Sequence, residues 1–464
     1  MQKRWVSLGI LTALLVTTGL GCKGGTKEEQ AAAKPVQLEY WSVAHDSSVI
    51  GDLTARYRAN HAQVSIRFRR FKLEEFEKEL LEALAEDRGP DIISLHNDWI
   101  SKYQTKLLPM PASVSVPSVV VKKGQLSDER TVLIENTAMP SLQQMDRLFV
   151  PVVKKDVVRI DETNKPSIYG LPMALDSLVL FYNQDLLDQA GVPQPPSTWG
   201  ELQEAVVAST RYDASGNILQ AGGAFGTGKN VERSSDILTA LLMQNGAQMS
   251  DSSGRATFHL TTAGQTSEEA PVVEALRFYT DFGNPTKQVY TWNKDLEKSL
   301  DAFTRGKAAF FFGYAYHIPQ IKARAPKLNY RVLSLPQLNP DKPKNVANYW
   351  VETVSKKTKY PNEAWDLVNF LARAPQAELY AERTQKPAAL RESIGKQLEN
   401  SDLAPFAGQV LTADTWYRGR NPDTADSAMA EMIDFVHENR AREEQEDIYA
   451  EAINRAVSKI NQSL

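Results

Sequence analysis

Asp176 stands just before an apolar run, Ser177–Tyr182, in the segment Pro172-Met173-Ala174-Leu175-Asp176. A carboxylate at such a place can accept two hydrogen bonds from neighbouring hydroxyls, and ionised acceptors bond more strongly than neutral ones. A second polar cluster, Asn97-Asp98-Trp99, follows the apolar Ile92–Leu95, and His45 and Asp46 follow the first apolar run of the chain. An amide beside a carboxylate suits the same task. Flat apolar plates are the other half of such chemistry: they bury the C–H face of a ring and leave its hydroxyls to polar neighbours. Trp41, Trp99, Tyr314, Tyr316, Trp350 and Trp416 are the candidates, each of which also reads as ordinary core. The chemistry these residues could do is recognition of a ring that carries hydroxyls.

Other chemistries find less support. Six histidines, at 45, 61, 96, 259, 317 and 437, show no zinc-ligand spacing, and there is no cysteine partner set. Gly223-Ala-Phe-Gly-Thr-Gly-Lys229 imitates a phosphate-binding loop, but Asn230 stands where Ser or Thr would hold magnesium. No Gly-x-Ser-x-Gly nucleophile elbow is present. With 57 acids, carboxylate pairs are certain to occur somewhere, so hydrolysis of a glycoside by two acids stays open as an alternative. No cofactor is expected. The net charge of −4 gives no nucleic-acid footprint, and Arg67, Arg69, Arg70 and Lys72, alternating with Phe68 and Phe71, read as the solvated face of a strand.

The elements that must position these groups follow from periodicity. Val36–Val43 and Val64–Phe71 read as strands, Ser47–Asn60 and Leu73–Ala85 as helices, and Ile92–Leu95 as a third strand after a Gly-Pro-Asp turn. That alternation predicts a parallel α/β sheet with ligand groups beyond the strand carboxyl ends. Trp199–Ser209 reads as a capped helix, Ser234–Asn245 as a helix ended by Gly246, and Lys307–Gly313 as a buried strand. Residues 110–168 are weakly patterned and charged, and read as a loop-and-helix elaboration. A chain of 464 residues is too long for one core and predicts two or three lobes.

The N-terminus reads as an export signal. Lys3 and Arg4 precede an apolar segment, Val6–Leu20, and Gly21-Cys22 follows. Cys22 is the sole cysteine, so no intramolecular disulfide can form, and attachment of a lipid explains a lone thiol there. Residues 1–21 are thus expected to be a lipoprotein signal peptide and 22–35 a flexible tether.

The order of these pieces resembles family 1 extracellular solute-binding proteins, the maltose-binding-protein-like receptors of ATP-binding-cassette importers. The resemblance runs over roughly 38–108, 169–246, 301–335 and 345–374, and rests on the Trp-bearing first strand, the Pro90-Asp-Ile-Ile93 strand, the Asp176 crossover and the Gly306-Lys-Ala-Ala309 strand. It implies an α/β, two-lobed periplasmic-binding-protein-like fold of type II, with discontinuous lobes, a hinge and a cleft between them. The lobes would be 36–174 and 341–380 for the first, and 175–340 and 381–464 for the second. It implies a carbohydrate receptor without catalysis, a monomer held outside the cytoplasm by the lipid on Cys22. Its partners would be membrane permease subunits with a separate ATPase. The site would comprise Trp41, His45, Asp46, Asn97, Asp98, Asp176, Tyr314, Tyr316, Trp350, Arg383 and Trp416. The rival readings are an exported glycoside hydrolase and a surface lipoprotein that senses a ligand.

Overall fold

The computed structural model describes residues 34–122, 129–251, 253–260, 270–443 and 447–464. The expected signal segment, Cys22 and the tether up to residue 33 lie outside the described residues. The strands are β1 (Val36–Ser42), β2 (Val64–Arg70), β3 (Ile92–His96), β4 (Ser113–Lys122), β5 (Glu129–Ala138), β6 (Val158–Ile160), β7 (Pro166–Ile168), β8 (Asp176–Ser177), β9 (Val179–Asn183), β10 (Arg211–Tyr212), β11 (Ile218–Gly223), β12 (Ala308–Gly313), β13 (Tyr330–Ser334), β14 (Asn345–Asn348), β15 (Trp350–Val354) and β16 (Ala413–Asp414).

Two large sheets organise them. The first has the order β15-β3-β1-β2, with β1 parallel to both β2 and β3 and β15 running antiparallel to β3. The second has the order β10-β11-β12-β9-β13. Each sheet carries its own apolar core. One cluster gathers Leu38, Tyr40, Ile50, Leu53, Phe76, Ile93, Val351 and Trp365. The other gathers Leu180, Trp199, Phe225, Leu241, Phe310 and Phe312 with the C-terminal Met429, Ile433 and Ile453. A third, smaller cluster around Phe181, Phe303 and Phe311 covers the opposite face of the second sheet. Burying apolar side chains in two separate bodies is the expected solution for a chain of this size.

The chain crosses between the two bodies between Leu175 and Leu178, between Val346 and Ala347, and between Ala413 and Tyr417, and it also touches the second body at Phe406, between Ile394 and Val410 of the first. The three crossings at Leu175–Leu178, Val346–Ala347 and Ala413–Tyr417 run through or beside one small sheet of order β16-β14-β8. The last passage differs from the handover expected at residue 381. Ala388, Ala389, Leu390 and Ile394 lie in the first core. Backbone bonds hold them there: Leu175 N donates to Pro387 O, Ala389 N to Met173 O and Val150 N to Ala389 O.

Residues 110–168 also depart from expectation. Their first part is a long antiparallel hairpin, β4–β5, paired from Ser113↔Ala138 to Lys122↔Glu129, not a loop-and-helix elaboration. Val114 and Val116 of β4 are buried and Ser115 is exposed, a period of two that marks a strand.

Candidate functional site

A cleft of about 1230 Å³ opens between the bodies. Its walls come from both. The first body contributes Asp46, His96, Asp98, Trp99, Asn348, Trp350, Arg383 and Lys386; the second contributes Arg233, Ala315, Tyr316, Gln320 and Asp426. A recess of about 30 Å³, lined by His45, Asp176, Tyr316, Asn348, Trp350, Tyr380 and Lys386, continues below it.

Strand ends build the first wall. β1 and β3 run toward the cleft, and β15 starts there, so Trp350 pairs with His96 in the ladder. The Trp350 ring meets His96 at 5.5 Å and Trp99 at 6.1 Å, both edge to face. His96 Nδ1 lies 2.5 Å from Asp98 Oδ1. Burial works against charging His96, but the Asp98 carboxylate outweighs it and holds the imidazole above its ordinary value.

Beneath this wall lies a buried network. His45 Nε2 lies 2.7 Å from Glu352 Oε1, Tyr40 OH donates to Glu352 Oε2 at 2.6 Å, and Tyr380 OH lies 2.8 Å from His45 Nδ1. Glu352 is fully buried and depends on these partners to offset its lost hydration. The network locks the floor that His45 and Tyr380 present to the recess.

A turn and two helix starts build the second wall. After β12 the chain turns at Gly313, where an added Cβ would stand 2.7 Å from His317 Nδ1. Tyr314 N donates to that nitrogen at 2.9 Å, and His317 Nε2 lies 3.0 Å from Glu232 Oε2. The turn stacks Tyr316 on Tyr314 at 5.7 Å and presents Tyr316 to the cleft. Arg233 caps the helix Ser234–Gln244 in a left-handed conformation, φ 58°, and Gln385 on the opposite wall adopts φ 57°. Such conformations are costly for residues with a Cβ and cluster at ligand sites. Asp236 holds Arg233: its Oδ2 accepts from Arg233 Nε at 2.7 Å and from Tyr314 OH at 2.6 Å. Arg233 Nη1 also lies 3.5 Å from Asp426 Oδ2, just past the first turn of the helix Pro422–Asn439. The surrounding protein raises the Asp426 carboxyl to about 6 against the pull of Arg233, although its side chain keeps 45 % of its surface in contact with solvent.

Asp176 lies on the crossover itself. Its Oδ1 accepts from Ser177 N at 3.0 Å and Ala315 N at 3.1 Å, while its buried Oδ2 has no hydrogen-bond partner. Burial pushes its carboxyl up to about 6, opposed by Lys386 and by those amides. Burial in turn pulls Lys386 below its ordinary value, although Asp176 favours its charge.

The structure therefore brings together Asp46, Asp98, Tyr316, Trp350 and Arg383 on the cleft, and His45 and Asp176 in the recess. Asp46 is also committed to capping the helix Ser47–Asn60, accepting from Ser48 N at 2.8 Å. Four expected residues stand elsewhere. Trp41 is 6 % exposed in the first core, against Phe71 at 4.6 Å and under Arg69, because the ligand-facing end of β1 lies beyond it. Asn97 is turned inward, accepting from Tyr349 N at 3.2 Å and donating to Asp156 at 3.4 Å. Tyr314 is fully buried behind Tyr316. Trp416 packs on the second core against Phe258 and Tyr417.

Arg233, Asn348, Lys386 and Asp426 were missed. The Asn421-Pro422-Asp423 helix start was a usable signal for Asp426, since Pro at the first helical position marks a start. Nothing local marks Arg233, whose place depends on a contact with a residue 193 positions later. The loop Gly223–Lys229 offers no phosphate cradle. Gly228 N donates to Asp434 Oδ1 at 2.8 Å, and a Cβ at Gly228 would meet Ala430 O at 2.4 Å. Among the described residues no group of acids, histidines and cysteines could hold a metal ion, and no helix is long and apolar enough to cross a membrane.

The sequence profile of bacterial extracellular solute-binding proteins matches residues 52–399. A binding protein of Brucella abortus is 27 % identical over 259 residues, which span 53 % of this chain and 57 % of that protein, so a little over half of its length is matched. The galactooligosaccharide-binding protein of Bacillus subtilis is 22 % identical over 79 % of this chain and 76 % of its own. The fold is similar to that of the cyclic alpha-maltosyl-1,6-maltose binding protein from Arthrobacter globiformis, with TM-score 0.69, 15 % identity and coverage of 92 % of this chain and 99 % of that one. It is also similar to a solute-binding protein from Thermotoga lettingae bound with alpha-D-tagatose, with TM-score 0.64, 18 % identity and coverage of 92 % and 99 %. At these identities the structural likeness establishes the two-lobed α/β architecture.

Proposed function

From the premise that the chain belongs to the bacterial extracellular solute-binding proteins, we propose that it captures a carbohydrate between its lobes and delivers it, unaltered, to the permease subunits of an ATP-binding-cassette importer. The observation that carries this reading is the pairing of aromatic faces from opposite lobes, Trp350 and Tyr316, above a recess with an unpartnered buried acceptor, Asp176 Oδ2. Rings suit the aromatic faces and hydroxyls suit the acceptor and the charged groups around it. Cationic and anionic side chains alternate along the walls: Arg233, Arg383 and Lys386 against Asp98, Asp176 and Asp426. That balance favours a neutral, polyhydroxylated solute over an ion. Names of relatives lean the same way, toward galactooligosaccharide, maltodextrin and tagatose.

Closure around the solute follows hinge logic: the ligand favours the closed arrangement only to the extent that it binds it more tightly than the open one. Attachment of a lipid at Cys22 would keep the receptor near its importer and raise its effective concentration there. The ATPase would be a separate polypeptide.

The test is a thermal-shift and calorimetric screen against maltotriose, mannobiose, tagatose and galactooligosaccharide, with reducing ends assayed in the same tubes. A ligand that binds only the folded chain raises its apparent stability. Tight binding with unchanged sugar is the expected result. Released reducing sugar would make the chain a hydrolase instead, and no shift with any sugar would remove the carbohydrate reading.

A further inference from the structure

Behind the first-lobe wall, the helix Pro151–Val157 carries a buried carboxylate, Asp156, whose two oxygens serve different parts of the molecule. Oδ2 accepts from Tyr349 OH at 2.8 Å and from Asn97 Nδ2 at 3.4 Å. Both donors stand beside cleft residues in the chain: Asn97 precedes Asp98, and Tyr349 lies between Asn348 and Trp350. Oδ1 accepts from Thr415 Oγ1 at 2.6 Å and lies 3.3 Å from Arg418 Nε. Thr415 lies within the crossing from Ala413 to Tyr417, and Arg418 directly follows it. We propose that Asp156 ties the first-lobe wall of the cleft to this crossing, so that the seat of a solute and the pivot of the lobes shift together.

The inference rests on the reading that the two lobes open and close about the β16-β14-β8 sheet. The crossing is stitched to both lobes over a few residues. On the first-lobe side, Lys155 Nζ lies 2.6 Å from Asp414 Oδ2, and Thr415 holds Asp156. On the second-lobe side, Trp416 packs against Phe258, its carbonyl accepts from Ser250 Oγ at 3.1 Å, and Tyr417 lies in the second core. A rotation of the second lobe therefore pulls on Thr415 through its chain neighbour. A carboxylate is a rigid plane, so a pull that turns Oδ1 also displaces Oδ2. The wall has little slack to absorb that. Asn97 N donates to Tyr349 O at 3.0 Å and Tyr349 N to Asn97 Oδ1 at 3.2 Å, so the two donors on Oδ2 move as a pair. Losing either side leaves a buried carboxylate oxygen short of a donor, which is costly, so the two sides hold together. Arg418 Nε, buried without a hydrogen-bond partner although it lies near Oδ1, is the loosest of the four groups.

The experiment is amide hydrogen exchange of the ligand-free full chain, read by mass spectrometry, with circular dichroism to confirm folding. Thr415→Val cuts the carboxylate from the crossing alone, and Tyr349→Phe cuts it from the wall alone. Each should speed exchange on the far side as well as its own: Thr415→Val at residues 96–99 and 348–350, Tyr349→Phe at residues 413–418. The expected gain is about fivefold, the worth of one hydrogen bond. Lys155→Ala is the control, because it loosens the same crossing at Asp414 without touching Asp156, and it should leave the wall unchanged. A carboxylate that only filled a buried site would not carry the effect across. Changes confined to the substituted side, or a wall that answers Lys155→Ala as strongly as Thr415→Val, would overturn the tie. Should one of the two reciprocal variants unfold, the other still decides. No sugar is present in this experiment, so the tie can fail while the carbohydrate reading stands, and the reverse.

Discussion

The wall from the first lobe consists of strand ends. His96, Trp350 and the residues after β1 are fixed by ladders and, below them, by the buried Glu352 network. The wall from the second lobe consists of a turn and two helix starts. There Tyr316, Arg233 and Asp426 are fixed by side-chain contacts through Asp236, His317 and Glu232. A ladder sets position through many backbone bonds at once, whereas a side-chain relay sets it through single contacts that can be removed one at a time. The first wall should therefore fail as a unit when its support is cut, and the second should fail piecemeal.

Removing Glu352 is the strongest test of that contrast. Glu352→Ala leaves His45 and Tyr40 without their buried acceptor and should cost about 3–5 kcal/mol in urea denaturation. A cost under about 1 kcal/mol would mean the first wall does not lean on the network. Asp176, between the walls, should give the next largest effect. Its raised carboxyl contributes stability below about pH 4 that is lost as pH rises through about 6. The stability of Asp176→Asn relative to wild type should therefore rise across that window, by at most about 3 kcal/mol. A flat difference would place Asp176 in contact with water.

On the second wall, Asp236→Ala should cost about 2 kcal/mol, since it orphans Tyr314 OH and Arg233 Nε. It should also weaken sugar binding, through a displaced Arg233. Trp350→Ala and Tyr316→Ala should each weaken binding about tenfold, roughly 1.4 kcal/mol, by calorimetry. Equal losses would mean both walls grip the ring; a loss from one alone would assign the ring to that wall. The smallest effect belongs to Trp41→Phe, which should leave affinity unchanged because Trp41 faces the core.

The same contrast explains how much was legible in the sequence. Apolar periodicity located β1, β3, β9 and β12, and strand ends in an α/β sheet point at the ligand, so Asp98 and Tyr316 could be named from one dimension, whereas Trp350 was named only as an aromatic plate. Periodicity does not say which residue of a strand end faces the cleft. Trp41 and Asn97 were therefore placed on the wrong side by one residue's rotation, as adjacent positions on a strand or tight turn face opposite ways. Arg233 and Asp426 were beyond reach for another reason. They become neighbours only when the C-terminal helix returns to the second core, and that pairing leaves no local pattern. The hairpin β4–β5 was missed although Ser113–Val116 alternates, because Pro117 and the flanking charges read as loop.

The three-stranded sheet β16-β14-β8 carries three of the crossings between the lobes, and Asp176 sits on one of them. It lies close to the fulcrum, where opening and closing displace atoms least. A solute seated at Asp176 would thus remain nearly still while the outer walls of the cleft travel around it.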